Sequence, residues 1–371
     1  MRNLLIVAIA FCMPLFCAKP MTNSACKECH PDIFEEYRHS WHAKSWHNDL
    51  LHRKVAQRVP RYECGRCHMP MAENLVRMNE GLEWPDDRHK GQKEAVACFY
   101  CHQIAYVKKA HRYNEIQLAR QAQGLKPTLF GTLEDPDSSD KHEMVHSPIY
   151  EKYACTGCHG HKRNGYGVLI YQATRRVDGS EACIKCHMPK EPGGVEKMNK
   201  KARRWHHSHR FAGIHDWAMR QKSVEIRFKK ASNGWIDVVV HNKMGHPLII
   251  HPARMKYLKL SLWRKGRKIW ENFKTSPRED AQCCFTIDFL GEHDEPIDIP
   301  YFARKRGFVN NIDANGTKIL RYKLPPMEKN DRMVAEMFVI LAKPSCADAA
   351  GIEAKNLRVP ILMKRIEWRR R

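Results

Sequence analysis

The sequence predicts a mixed fold: a mostly irregular and α-helical domain at residues 19–218, followed by an all-β, sandwich-like domain at residues 219–371. Two observations predict this division. The pentapeptide Cys-x-x-Cys-His occurs five times between residues 26 and 187, in a stretch with few aliphatic residues. Short segments of alternating polarity, separated by turn residues, begin near residue 223 and are typical of strands. A chain of 371 residues has the length of about two domains.

Residues 1–18 are predicted to be a secretory signal peptide. Arg2 precedes an apolar run that ends at Phe16, and Ala18 offers a small residue for cleavage. The run is shorter than the ~20 residues that a membrane-spanning helix needs. Because of Cys17, a lipidated or uncleaved membrane anchor is an alternative, although Phe16 lacks the small side chain that lipoprotein processing favours before the cysteine. We therefore expect a periplasmic protein, either soluble or membrane-associated.

The five pentapeptides, called motifs 1 to 5 in chain order, each supply two cysteines and a histidine. They are Cys26, Cys29 and His30; Cys64, Cys67 and His68; Cys98, Cys101 and His102; Cys155, Cys158 and His159; and Cys183, Cys186 and His187. Cysteines three apart lie on one side of a helical turn, so both sulfurs can reach the two vinyl groups of one porphyrin. The following histidine can then bind the iron. The pattern predicts five covalently bound haem c groups, with these histidines as proximal ligands.

Zinc sites, redox-active cysteine pairs and disulfides are the alternatives for these motifs. A shuffled sequence of this composition would contain roughly 0.04 such pentapeptides, whereas five are present. Each zinc ion would need the cysteines of two motifs, so zinc binding would leave one of the five motifs without a partner. Haem also explains the scarcity of aliphatic residues, because packed porphyrins would form the core of this domain. Helices are expected within residues 32–59 and 93–123, and surface loops at residues 81–90 and 124–140.

Distal ligands are sought among the 22 − 5 = 17 histidines outside the motifs. Those placed best along the chain are His42, His146 and His209, and the weaker candidates are His47, His89, His111 and His246. Met69 and Met188 directly follow proximal histidines. A residue that close lies on the wrong side of the porphyrin, so both methionines are expected to pack.

Several segments resemble the multihaem cytochromes c related to the tetrahaem electron-transfer cytochrome of ammonia-oxidising bacteria. They are the unit at residues 26–43, the Cys-x-x-Cys-His-Met-Pro forms of motifs 2 and 5, the histidine upstream of Cys155, and Ser-His-Arg-Phe-Ala-Gly at residues 208–213. The resemblance implies bis-histidine haems with His42, His146 and His209 as distal ligands. Larger members carry a C-terminal β domain opened by Asn-x-x-Gly-His, which residues 242–246 match. This chain departs from the pattern in haem number and lacks the usual Pro-Thr-Gly after the Gly-His pair, so the role of His246 stays open.

The C-terminal domain is predicted to contain about eight strands. They are expected at residues 223–228, 235–241, 256–263, 268–273, 284–290, 319–324, 333–341 and 357–363. No motif lies here, which favours a scaffold or partner-docking role. Cys283, Cys284 and Cys346 remain, and one of the adjacent pair could bridge to Cys346 in an oxidising compartment.

The formal net charge of +23 predicts attraction to anionic partners. These are acidic redox proteins, an anionic membrane surface or small oxyanions; nucleic acid is not expected outside the cytoplasm.

The favoured function is electron transfer in a respiratory chain, between a quinol-oxidising donor and a terminal reductase. The alternative is an oxidoreductase that acts on a small nitrogen or sulfur oxyanion at one open haem iron. Five haems is also the number in the periplasmic nitrite reductases, but their active haem has a lysine ligand and no Cys-x-x-Cys-Lys occurs here. A carrier without catalytic residues is therefore favoured.

Overall fold

The computed structural model describes residues 21–47, 50–86, 88–120, 125–137, 139–174, 183–193, 201–230 and 233–370. The predicted signal peptide at residues 1–18 lies outside these ranges. Within them, every helix is too short or too polar to cross a bilayer.

The motif-bearing part combines short helices with short strands. The helices are α1 Asn23–Cys29, α2 Pro31–His39, α3 Leu50–Ala56, α4 Gly65–His68, α5 Leu75–Glu80, α6 Lys90–Lys93, α7 Cys98–His102, α8 Ile149–Lys152, α9 Thr156–His159 and α10 Cys183–His187. The strands are β1 Ile104–Lys108, β2 Glu115–Leu118, β3 Thr128–Gly131, β4 Glu143–His146, β5 His161–Arg163, β6 Leu169–Gln172, β7 Lys190–Pro192 and β8 Trp205–His207. The strands pair two by two, β3 and β4 in parallel and the others antiparallel.

Local sequence explains how the first helices begin and end. The Thr22 hydroxyl accepts a hydrogen bond from the Ala25 amide at 3.2 Å and so caps α1. His30 ends α1 and precedes Pro31, which is favoured at the first position of a helix and opens α2. Gly81 ends α5 with φ 78°, and a Cβ there would lie 2.6 Å from the Pro60 carbonyl oxygen. Glycine is required at this position.

The C-terminal part contains most of the sheet structure. Its elements are α11 Trp217–Ser223, β9 Val224–Lys230, β10 Trp235–Asn242, β11 Met255–Arg264, β12 Arg267–Glu271, β13 Cys284–Leu290, β14 Pro296–Ile297, β15 Lys305–Asn310, β16 Thr317–Lys323, β17 Arg332–Ile340, α12 Pro344–Ala350, α13 Lys355–Arg358 and β18 Ile361–Arg369, with 3-10 turns at Pro277–Glu279 and Pro300–Phe302.

Two antiparallel sheets share one hydrophobic core in this part. One has the strand order β16-β10-β9, and the other runs β14-β13-β11-β17-β18, with β12 beside β11 and β15 beside β13. Alternation places apolar partners directly opposite each other, for example Val238 against Leu320 in the first sheet. Both pack with residues of the second sheet such as Leu260 and Met333, and all four are fully buried.

The fold class predicted from the sequence is wrong. About 31 % of the structure is strand and 24 % helix, without a clear helical domain around the motifs. The expected helix at residues 93–123 ends after α7, because the β-branched and aromatic residues that follow pair as β1 with β2. The expected helix at 32–59 is broken between α2 and α3, and the expected loop at 124–140 contains β3. The C-terminal part is not all-β, since it includes α11, α12 and α13.

The two parts of the chain contact each other extensively. The Asn164 side chain donates to the Ala303 carbonyl at 2.7 Å, and the Gln172 amide donates to the Ile250 carbonyl at 3.4 Å. Leu51 of α3 packs into a cluster with residues of α12. The domain bounds at residues 18, 218 and 371 stay a prediction, and the C-terminal part lies close enough to contribute side chains to the motifs.

Candidate functional site

Each motif occupies a single helical turn. Backbone hydrogen bonds from the motif histidine to the first cysteine close the turn, at 2.9 Å for His30, 3.0 Å for His68 and 2.8 Å for His159. This geometry stacks the first cysteine and the histidine on the same face. Two sulfurs and an imidazole can therefore reach one flat ligand.

Four motif histidines face a second histidine from elsewhere in the chain. The pairs, with the distance between ring centres, are His30 with His142 (6.3 Å), His102 with His209 (6.3 Å), His159 with His42 (5.9 Å) and His187 with His246 (6.5 Å). A metal held between two imidazoles by bonds of about 2 Å places their ring centres about 6 Å apart. Each of these pairs therefore has the separation that one bridging iron requires.

Hydrogen bonds fix the ring tautomer of several of these histidines. Nδ1 donates to a backbone carbonyl in four of them, and also in His68 of motif 2: His68 to Ser45, His102 to Phe130, His187 to Ala212, His209 to His207 and His246 to Pro247, at 2.6–3.1 Å. A carbonyl only accepts, so Nδ1 carries the proton and Nε2 keeps the lone pair that binds a metal. The donor set fits haem iron.

Burial keeps four of the paired imidazoles neutral. It lowers the pKa of His42 to about 3, and it lowers the pKa values of His159, His209 and His246 to about 4. Neutral imidazole is the form that binds a metal, so the sites can bind one over a wide pH range.

Motif 2 differs from the other four. The ring of His52 lies only 4.0 Å from that of His68, too close for an iron between them in this arrangement. His251 lies edge-on to His52 at 5.4 Å, and Tyr171 is 6.4 Å from His251. The Ala253 amide donates to Nδ1 of His251 at 3.2 Å. Neutral His251 therefore carries its proton on Nε2, as a hydrogen-bond donor.

Thiols of different motifs meet in pairs. Cys26 is hydrogen-bonded to Cys98, Cys67 to Cys158, and Cys155 to Cys183. Motif 1 thus adjoins motif 3, and motif 4 adjoins motifs 2 and 5. The Cys101 thiol is also close enough to act electrostatically on both cysteines of motif 4. The motifs form one connected group with motif 4 at its centre.

Comparison with known proteins finds a solved structure of similar fold. No protein-family model and no curated protein matches the sequence. The crystal structure of a penta-heme cytochrome c552 from Thermochromatium tepidum is similar over 95 % of this chain and 100 % of that chain, with a TM-score of 0.75 and 22 % identity. The chain has a multihaem cytochrome-like fold. At this identity the likeness shows the fold, not the specific family that the sequence resembles.

A second similar structure, of superoxide reductase in the oxidized state, covers 33 % of this chain and 82 % of that chain. Its identity is 12 % and its TM-score 0.16, so it carries no argument.

Three of the distal candidates from the sequence lie opposite motif histidines of the multihaem cytochrome-like fold. His209 faces motif 3, His42 faces motif 4 and His246, from the C-terminal part, faces motif 5. Among the described residues, the rings of His146 and His89 pair with no motif histidine. His89 lies instead 3.8 Å from the Glu73 carboxylate. Their assignment as ligands, like that of the attachment and proximal residues, stays a prediction.

Sequence reasoning missed His142 and His52. His142 lies four residues before His146, in the same segment, and the chain gives no local signal to choose between them. His52 lies on α3, within a stretch rich in histidine. Only the tertiary path of the chain, which takes residue 142 back to motif 1, separates these candidates.

The cysteines outside the motifs are buried in the C-terminal part. In the described ranges no cysteine forms a disulfide, so Cys283, Cys284 and Cys346 are not bridged. The Cys284 sulfur lies 3.5 Å from that of Met255. Burial raises the pKa values of Cys284 and Cys346 to about 11, which keeps both as unreactive thiols.

Proposed function

We propose that this chain is a periplasmic pentahaem c-type cytochrome that transfers electrons between redox partners. The observation that carries the proposal is the set of four histidine pairs, each spaced to hold one iron beside a Cys-x-x-Cys-His turn. Haem supplies a reversible one-electron change at its iron. The protein attaches the group, supplies both axial ligands and excludes water.

In this proposal the two cysteines of each motif attach one haem, and the motif histidine is the proximal ligand. The distal ligands are His142, His52, His209, His42 and His246 for motifs 1 to 5. An iron with two imidazole ligands has no free position for a substrate, which favours a relay over catalysis. His146 and His89 are replaced as candidates by His142 and His52.

The contacts between motifs support electron relay. Attachment sites in hydrogen-bond contact bring neighbouring haems close together, and the thiol pairs link motif 1 to motif 3 and motif 4 to motifs 2 and 5. The proximity of Cys101 to motif 4 completes a path through all five. Electrons could then enter at one end of the group and leave at another.

The charge of +23 supports acidic redox proteins as donor and acceptor. We propose a quinol-oxidising donor and a terminal reductase, with an anionic membrane surface as a further docking site. The predicted signal peptide supports a periplasmic location.

A second candidate function is reduction or oxidation of a small nitrogen or sulfur oxyanion at motif 2. The 4.0 Å separation of His52 and His68 favours it, because these rings must move apart before His52 can be a ligand. If His52 stays off the iron, Nε2 of His251 and the Tyr171 hydroxyl offer protons nearby. Burial raises the pKa of Tyr171, so its hydroxyl stays protonated.

One experiment tests both candidates. The mature protein from a host with cytochrome maturation should be heavier than the bare chain by five haem groups, and its oxidised electron paramagnetic resonance spectrum should be entirely low-spin and unchanged by nitrite. A colourless product would overturn haem binding. A high-spin signal that shifts when nitrite is added would replace the carrier function with the second candidate.

A further inference from the structure

We infer that His42 and His159 form a weakly donating axial pair, which gives the iron at motif 4 a higher reduction potential than the irons at motifs 3 and 5. Phe211 is the positioning residue that maintains this difference. The inference rests on the proposed haem binding and goes beyond it, because it ranks the reduction potential of motif 4 against those of motifs 3 and 5.

Hydrogen bonding distinguishes the axial pairs. At motif 3 both imidazoles donate from Nδ1 to backbone carbonyls, at 2.7 Å for His102 and 2.8 Å for His209. At motif 5 both do so as well, at 2.6 Å for His187 and 2.9 Å for His246.

Motif 4 lacks such carbonyl bonds. Nδ1 of His42 is buried and has no hydrogen-bond partner among the described residues. Nδ1 of His159 lies 3.5 Å from the Tyr171 hydroxyl, at the outer limit of a hydrogen bond. Donation from Nδ1 makes an imidazole more basic and favours the oxidised metal. A pair without it favours the reduced iron.

Phe211 explains why His42 has no acceptor. Its ring lies 4.2 Å from that of His42, at 81°, and 6.0 Å from that of His209, at 87°. An aromatic ring in this position offers no carbonyl or hydroxyl oxygen. Phe211 also has φ 48°, a left-handed conformation that costs a bulky residue free energy. The surrounding structure holds the ring beside both distal histidines despite that cost.

The position of motif 4 gives this difference a function. Motif 4 contacts motifs 2 and 5 through its thiols and lies within electrostatic range of motif 3. Electrons settle at the site of highest potential. A higher potential at the junction collects electrons from motifs 3 and 5 and holds them next to motif 2, the site whose histidines are arranged differently.

The test is a redox titration of the haem-loaded protein followed by electron paramagnetic resonance. The loss of a low-spin signal in His42→Ala, His209→Ala or His246→Ala assigns that signal to motif 4, 3 or 5. The expected result is that the motif 4 signal disappears first as the potential is lowered. An order in which motif 3 or motif 5 is reduced before motif 4 overturns the inference.

Two variants at one position test the role of Phe211. Phe211→Asn tolerates the left-handed conformation and adds an amide oxygen, so we expect a lower potential at motif 4. Phe211→Leu is the matched control without an acceptor, and we expect the motif 4 potential to stay near the wild-type value. Equal shifts of the motif 4 potential in both variants would show that Phe211 does not maintain the difference between the sites. If either variant fails to fold, the order of reduction in the wild-type protein still decides the inference. Absence of covalent haem by mass would instead reject the proposed function.

Discussion

The imidazole of His142 lies 6.3 Å from that of His30, with 31° between the ring planes. His30 ends the first helix, and His142 precedes β4, which the parallel pairing with β3 holds in place. A side chain far along the sequence thus returns to the first motif. This relationship is the basis for assigning His142, and not His146, to motif 1.

His142→Ala should open the iron at motif 1. Removing one of two imidazoles leaves a five-coordinate, high-spin ferric iron. We expect one new high-spin signal in electron paramagnetic resonance, with all five haems still attached. His146→Ala is the matched control from the same segment and should leave the spectrum low-spin. The opposite result would restore the assignment that the sequence first favoured.

Glu36 should hold the distal ligand of motif 3 in place. Its carboxylate accepts from the His209 amide at 2.7 Å and lies 3.1 Å from Nε2 of His206, and its side chain is 10 % exposed. Glu36→Ala leaves a partly buried amide unpaired, and loss of such a hydrogen bond costs at most roughly 1–3 kcal/mol. On heating, we expect the motif 3 iron of the variant to become partly high-spin at a lower temperature than in the wild type. Optical spectra recorded during heating measure this transition.

The neighbouring Glu35 provides the control for this variant. It is mostly exposed and pairs with Arg38 and His39 on its own helix. Glu35→Ala should leave the spin-state transition unchanged. Equal effects of the two substitutions would mean that general loss of charge on α2, and not support of His209, causes the shift.

Removing His52 should make motif 2 a binding site for small anions. His251 lies edge-on to His52, so the vacated space adjoins the His251 ring, whose neutral form carries its proton on Nε2. We expect His52→Ala to bind nitrite, with a shift of the high-spin signal.

The double variant with His251→Ala should bind nitrite at least roughly tenfold more weakly, since a hydrogen bond to a charged group contributes about 1.5–3 kcal/mol. His241→Ala, a substitution on β10, is the control; unchanged nitrite affinity in the double variant would exclude a role for His251.

The sequence predicts the chemistry of the motifs better than their surroundings. A cysteine pair followed by histidine needs only one helical turn, so its geometry is local and can be predicted from the sequence. Distal ligands depend on tertiary contacts. The sequence offers His42 and His209 as candidates from their places along the chain and from the resemblance, whereas the choice between His142 and His146 depends on how β3 and β4 pair.

The fold class fails for a related reason. The sequence predicts helix within residues 93–123, but Tyr106 and Val107 pair across a hairpin with Gln117 and Ile116. Neither strand is long enough for alternation alone to reveal it. In the C-terminal part strands are longer, and β10 and β11 lie close to their predicted positions.

The C-terminal sheets should depend on the ion pair of Arg264 and Asp331. Two guanidinium nitrogens donate to the two oxygens of Asp331 at 3.0 and 2.8 Å, and the Asp331 side chain is 1 % exposed. These hydrogen bonds hold the pKa of Asp331 below its usual range. A carboxyl with a lowered folded pKa stabilises the protein above its unfolded pKa of about 4, and this stabilisation is lost as the pH falls through the folded value.

Asp331→Asn should therefore lower the free energy of unfolding at pH 7 by roughly 1–3 kcal/mol, because the charge-assisted bonds are lost. The difference from wild type should shrink as the pH falls through the lowered folded pKa of Asp331, because the wild-type carboxyl is then protonated in both states. Urea denaturation followed by far-ultraviolet circular dichroism over a series of acidic pH values measures it. Asp294→Asn is the control, since Asp294 is 70 % exposed and pairs with Lys305 at the surface. A difference for Asp331→Asn that stays constant with pH would show that packing, and not the carboxylate charge, accounts for the loss.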